Sequence, residues 1–207
     1  MTAVWSEPDV RDTFAEAAQA FADLVRSIPG DRWDSPGLGQ WNLRSLVGHT
    51  SRSLITVETY LDQPAEAEEL PTAAAYYVAI SGIDPESVVG RGVAAGKALG
   101  DSPAEVVDAL VGRVPALLKT VGNPLINTAA GGMRLENYLP TRSFELVVHS
   151  LDIAAAVSDI DGPEFSDQLL SEVARVAATS AVLLGRGIEM MLALTGRATL
   201  RPGFSVV

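Results

Sequence analysis

The chain has no cysteine. That removes disulfides, thiolate metal ligands and a cysteine nucleophile, so any sulfur chemistry must bring its thiol from outside. Histidine is almost as scarce, with two in 207 residues. Basic residues are outnumbered, 15 Lys and Arg against 26 Asp and Glu, for a formal net charge of -11. Such a chain repels phosphate backbones and anionic lipid, so nucleic acid and membranes are not expected partners, and a neutral or small ligand is. No apolar run approaches the roughly 20 residues that span a bilayer. Met1 to Asp12 carries acidic residues and lacks the apolar stretch of a signal peptide. A cytoplasmic location is the expectation.

What is present is an ordinary globular mix, 47% hydrophobic and 20% charged, which suits one domain with its own core and argues against disorder. Phe14, Ala18, Phe21 and Val25 recur at helical spacing and predict a first helix from about Pro8 to Arg26. Asn42 stands as N-cap of a second helix, Leu43 to Leu61. Shorter helices are expected from Thr72 to Ile80 and after Asp84-Pro85. Ser102-Pro103-Ala104-Glu105 reads as a capping box that launches a helix through Leu117, with Pro115 inside it and Gly122 as its terminator. The turn-rich stretch from Asn123 to Pro140 is expected to be a long loop forming a functional lip. Thr141 then caps a helix to about Val157. Ser166 caps another toward Leu184, broken by Gly185 and Gly187 before Ile188 to Leu194. The tail from Thr195 to Val207 is expected to be extended. No strand-like alternation is visible, so the class is all-α, an antiparallel bundle with additional helices.

Glu145 and His149, four residues apart, share one face of the Thr141 helix at about 100° per residue. Arg142 and Asp152 extend the same stripe. The stripe is either the solvated face of an amphipathic helix or charge turned inward. Leu146 and Ile153 flank it on one side, Val148 and Ala155 on the other, and Ser143, Ser150 and Ala154 make a small-residue face. The helix therefore reads as buried nearly all round, and buried charges must pair or bind metal. His49, with Ser53, Thr56 and Tyr60 on its side of the second helix, is either a hydrogen-bonded core residue or a ligand. Two histidines and one glutamate with an open position match catalytic zinc sites and also the facial triad of non-haem iron.

The stretches Trp41-Asn42-Leu43-Arg44-Ser45-Leu46-Val47-Gly48-His49 and Thr141-Arg142-Ser143-Phe144-Glu145-Leu146-Val147-Val148-His149-Ser150-Leu151-Asp152 resemble the metal-binding domain of mycothiol-dependent maleylpyruvate isomerases, within the DinB-like superfamily. The resemblance implies a DinB-like antiparallel four-helix bundle. It also implies a divalent ion, Zn2+, held by His49, Glu145 and His149, with water or a thiol in the fourth position. The implied thiol is mycothiol, held as thiolate for S-transfer to, or isomerisation of, a small electrophile, so a transferase or isomerase is expected. The partners are then a small thiol and an electrophilic substrate, and a homodimer is compatible with them. Full-length isomerases of this kind carry a further C-terminal α/β domain. The expectation here is a single domain over residues 1–207 without it.

Arg142 and Asp152 are the catalytic candidates. Arg142 would pair with Glu145 or an anionic substrate, and Asp152 would orient a ligand histidine through its second ring nitrogen. The alternative for both is a charge pair inside the bundle. Ionising a thiol of pKa about 8.5 gains roughly 30-fold at pH 7, about 2 kcal/mol, so orientation of thiol and electrophile must supply more, roughly 7 to 11 kcal/mol. Two other readings stay open: a hydrolase using metal-activated water, and a non-catalytic metal-binding module.

Overall fold

Asp9 accepts a hydrogen bond from the Arg11 amide and starts α1, Val10–Ser27, in a computed structural model that describes residues 9–206. The expected start at Pro8 lies outside the described residues. Phe14, Ala17, Ala18 and Phe21 bury one face of α1 completely. Asn42 accepts from the Ser45 amide and opens α2, Leu43–Leu61. Thr72 caps α3, Ala73–Ile80, and Asp84 caps α4, Pro85–Ala98, where the proline sits at a position whose N–H would be unpaired anyway. α5 spans Pro103–Leu118, but the Ser102 side chain makes no capping hydrogen bond. Its ψ of 66° falls short of the extended 171° at Asn42, so of the expected capping box only the proline operates. Arg11 donates to the carbonyls of Leu118, Val121 and Gly122, tying off the end of α5.

Residues 123–140 depart most from the expected loop. Leu125–Thr128 (β1) and Gly131–Arg134 (β2) pair as an antiparallel hairpin with Thr128 opposite Gly131. α6 then runs from Leu135 to Ala156. The expected cap, Thr141, is interior and donates to the Tyr138 carbonyl. The helix start is satisfied from a distance instead: the Leu135 amide donates to Pro124 O and the Glu136 amide to the Asn123 side chain, both at 2.9 Å. Those contacts serve two of the four amides every helix leaves open. Pro140 costs one internal helix bond, which is why local rules place a boundary there. The hairpin is pinned by the preceding segment, with Asn127 N donating to Gln63 O and Glu69 N to Gly132 O. A Cβ on Gly132 would lie 2.0 Å from Ala67 O, so only glycine fits.

Ser166 caps α7, Asp167–Leu183, and after Gly185 at φ 72° the chain enters α8, Gly187–Leu194. The tail beyond Thr195 contains turns, with Phe204 N bonded to Arg201 O; Val207 lies outside the described residues. Helices α1, α2, α5 and α6 form the bundle, α1 and α2 each packing on both α5 and α6. α4 lies along α2, α3 and α7 cover α6, and α8 touches α7. The architecture is all-α, with the hairpin as an appendage. Backbones of α2 and α4 approach so closely that a Cβ on Gly48 would fall 2.2 Å from Gly96 N. This crossing sits beside Trp41 and His49, and Trp41 Nε1 donates to Val89 O of α4 at 3.0 Å. Among the described residues, no helix is long and apolar enough to cross a membrane.

Candidate metal centre

Packing of α2 on α6 brings His49 to Glu145 and His149, which occupy successive turns of α6. Glu145 Oε2 lies 3.2 Å from His149 Nε2 and 4.0 Å from His49 Nε2. One donor atom from each residue falls within 4.8 Å of the other two. Donors bound at about 2.0 to 2.2 Å on a tetrahedral ion stand about 3.3 to 3.6 Å apart, so these separations bracket the required value. Two imidazole nitrogens and one carboxylate oxygen suit a borderline divalent ion better than calcium or magnesium, which favour oxygen.

The donors are held in place by their neighbours. His149 Nδ1 is 3.0 Å from Asp152 Oδ2, which leaves Nε2 for Glu145. The Tyr77 hydroxyl lies 2.9 Å from Glu145 Oε1 and 3.0 Å from the Thr141 carbonyl; with one hydrogen it donates to one of them at a time. Trp41 packs against His49 with ring centroids 4.5 Å apart at 32°. His49 Nδ1 is buried with no hydrogen-bond partner among the described residues, so the Trp41 contact and the α2–α4 crossing orient that ring.

Arg142 shares the helix face but not the cluster. It is 8% exposed, and its Nε donates to Thr141 Oγ1 at 2.9 Å. The guanidinium carbon lies 4.9 Å from the Tyr138 ring centre and 5.4 Å from that of Tyr76. No ion pair joins it to Glu145. Sequence reasoning did not single out Tyr76, Tyr77 and Tyr138. Adjacent tyrosines in an otherwise small and apolar α3 were the available signal, because buried phenols need polar partners.

Burial pushes His49 down to about 4, reinforced by His149. Burial also opposes charge on His149, but hydrogen bonds to Asp152 and Glu145 outweigh it and raise that group to about 9. For Glu145 burial disfavours ionisation, yet the His149 hydrogen bond and the Arg142 charge bring it down to about 2. Without an ion the cluster holds one imidazolium, one neutral imidazole and one carboxylate at neutral pH. A cation that takes all three donors displaces the His149 proton. Beside them opens a cavity of about 760 Å³, reached by His49, Glu145 and, at the hairpin tip, Ala129.

Fold and site together define a helical-bundle protein with a candidate metal centre at the edge of a cavity. The family model described as the mycothiol maleylpyruvate isomerase N-terminal domain matches residues 14–154, a span that includes all three donors and Asp152. The chain belongs to that family, and its fold is the all-α, DinB-like one. No curated protein and no solved structure matches it.

Proposed function

We propose that the chain is a metal-dependent enzyme that uses a low-molecular-weight thiol, mycothiol, in S-transfer to, or isomerisation of, a small electrophile, with Zn2+ held by His49, Glu145 and His149. The carrying observation is the convergence of three donor atoms within 4.8 Å of one another, with His49 and Glu145 lining a cavity. Three protein donors leave a position open, whereas a structural zinc site has four. Family membership supports the thiol, and the lack of cysteine means the sulfur must come from a cosubstrate.

A divalent ion in this site would lower the pKa of a thiol at its open position. The chain's own residues do the positioning. Asp152 fixes the His149 ring through Nδ1, Tyr77 restrains Glu145 through Oε1, and Trp41 covers one face of His49. Among the described residues Glu145 is the only carboxylate lining the cavity, and with it assigned as a ligand no second one of them stands ready as a general base for water. That favours the thiol reading over hydrolysis.

The test is elemental analysis of protein purified without chelator or a metal-affinity tag, followed by turnover of an activated electrophile with and without thiol. About one ion per chain and thiol-dependent turnover are expected. Thiol-independent ester hydrolysis would replace this reading with a hydrolase. Metal without turnover on any thiol would leave a binding module.

A further inference from the structure

The cavity is charged against the sense of the whole chain. The net charge is -11, yet among the described residues four arginines, Arg52, Arg91, Arg142 and Arg186, line the cavity with Glu145 as the single acidic side chain. Arg91 and Arg186 have protein acceptors, the Ser87 hydroxyl and the Ser205 carbonyl. Arg142 is buried, and of its five N–H donors only Nε has a hydrogen-bond partner among the described residues. Its faces are covered by Tyr76 and Tyr138, while no carboxylate among the described residues comes within ion-pair distance. Arg52, three residues beyond His49 on α2, likewise has no ion pair or side-chain hydrogen bond there. A buried guanidinium with its fork unfilled is completed by an anion, and a carboxylate matches the fork.

The rest of the wall is of the opposite character. Ile80 and Ile83, at and just beyond the end of α3, and Val88 and Val89 of α4 line it, and Ile83 is 36% exposed. The volume of about 760 Å³ falls within the range of roughly 300 to 1,000 Å³ that takes drug-sized ligands. A small polar dicarboxylate would leave this apolar wall wet.

We propose that the cavity binds an amphipathic monocarboxylate, its carboxylate on the Arg142 fork with Arg52 alongside and its apolar body along Ile80, Ile83, Val88 and Val89. Identifying this ligand as the electrophile rests on the metal-centre reading above; the binding site stands on the cavity itself. The occupant is then a carboxylic acid with an alkyl or aryl body.

Octanoate, octanol and succinate are titrated into the full chain, metal-loaded and metal-stripped, by calorimetry and by tryptophan fluorescence, since Trp41 lines the cavity. Octanoate is expected to bind in both metal states, and octanol and succinate at least about 10-fold more weakly. Arg142→Lys keeps the charge and loses the planar fork, and with Arg52→Gln it should weaken octanoate about 10- to 100-fold. Ile80→Ser should weaken octanoate and leave succinate unchanged. If Arg142→Lys loses its circular dichroism, Arg52→Gln, whose side chain is only partly buried, decides. Binding that vanishes with the metal and ignores both arginines would place the carboxylate on the ion and overturn the proposal. So would succinate binding as tightly as octanoate, or no binding at all. No thiol or turnover enters the measurement, so a failed thiol assay and a failed titration are told apart.

Discussion

Asp152 Oδ2 sits 3.0 Å from His149 Nδ1, one turn further along α6, and this contact directs the other ring nitrogen to Glu145 at 3.2 Å. If the cluster binds a metal, the carboxylate acts through the ring it orients. Asp152→Ala is expected to lower metal affinity about 10- to 100-fold without changing helical content. Competition against a chelator of known affinity measures it. An unchanged affinity would mean that other contacts hold the ring.

Metal uptake should depend on pH through His149. Its pKa is raised to about 9, so below that value a cation must expel a proton, and apparent affinity should rise roughly tenfold per pH unit from pH 7 before flattening. Stability of the metal-free chain follows another course. The raised His149 contributes fully below its ordinary 6.5 and loses that contribution as pH rises through about 9. The lowered His49 removes stability as pH falls from 6.5 through about 4. Together they place the maximum of their contribution near pH 6.5, which melting temperatures of chelator-treated protein across this range would reveal.

Removing the ion should leave the bundle folded. Phe14, Leu46, Leu54 and Leu139 are fully buried by helix packing that does not involve the cluster. Far-ultraviolet circular dichroism that collapsed with chelator would make the ion structural instead.

Two glycines in the same region should respond in opposite ways to alanine. At Gly48 the new methyl would meet Gly96 backbone at 2.2 Å, forcing α4 off α2, and a loss of about 1 to 3 kcal/mol or more is expected together with weaker metal binding. At Gly90, exposed on the outer face of α4, nothing lies within 4 Å. Alanine there should stabilise by up to about 1 kcal/mol. Urea denaturation of both variants gives the comparison.

Glu172 of α7 is 4% exposed; Oε2 accepts from the Thr13 hydroxyl at 2.8 Å and Oε1 has no hydrogen-bond partner among the described residues. Burial raises its pKa, against the pull of Thr13, Ser143 and Arg175. A raised acid favours folding below its ordinary 4.5 and loses that contribution as pH climbs through the folded value. Glu172→Gln should therefore gain stability over the parent as pH rises from 4.5 to 8. A difference in melting temperature that stayed flat over this range would contradict the assignment.

Caps were legible in the sequence where acceptor and amide lie within three residues of each other. Asn42 and Ser166 cap the helices expected of them, and Thr72 and Asp84 cap helices expected to begin there. The start of α6 was not legible, because Asn123 and Pro124 serve its amides from across a hairpin. The hairpin was invisible too: its strands are four residues each, too short for alternation to stand out, and the backbone of residues 63–70 holds them.

By itself the sequence determined that Glu145 and His149 share a helical face, since that follows from a spacing of four, and that sulfur chemistry needs an outside thiol, since cysteine is absent. Only the tertiary structure decided that His49 meets them and that Arg142 stands apart from Glu145. Those outcomes depend on how closely α2 crosses α4 at Gly48 and Gly96 and on tyrosines that α3 and α6 place against the guanidinium. Distances between side chains on different helices are set by packing, and no local spacing encodes them.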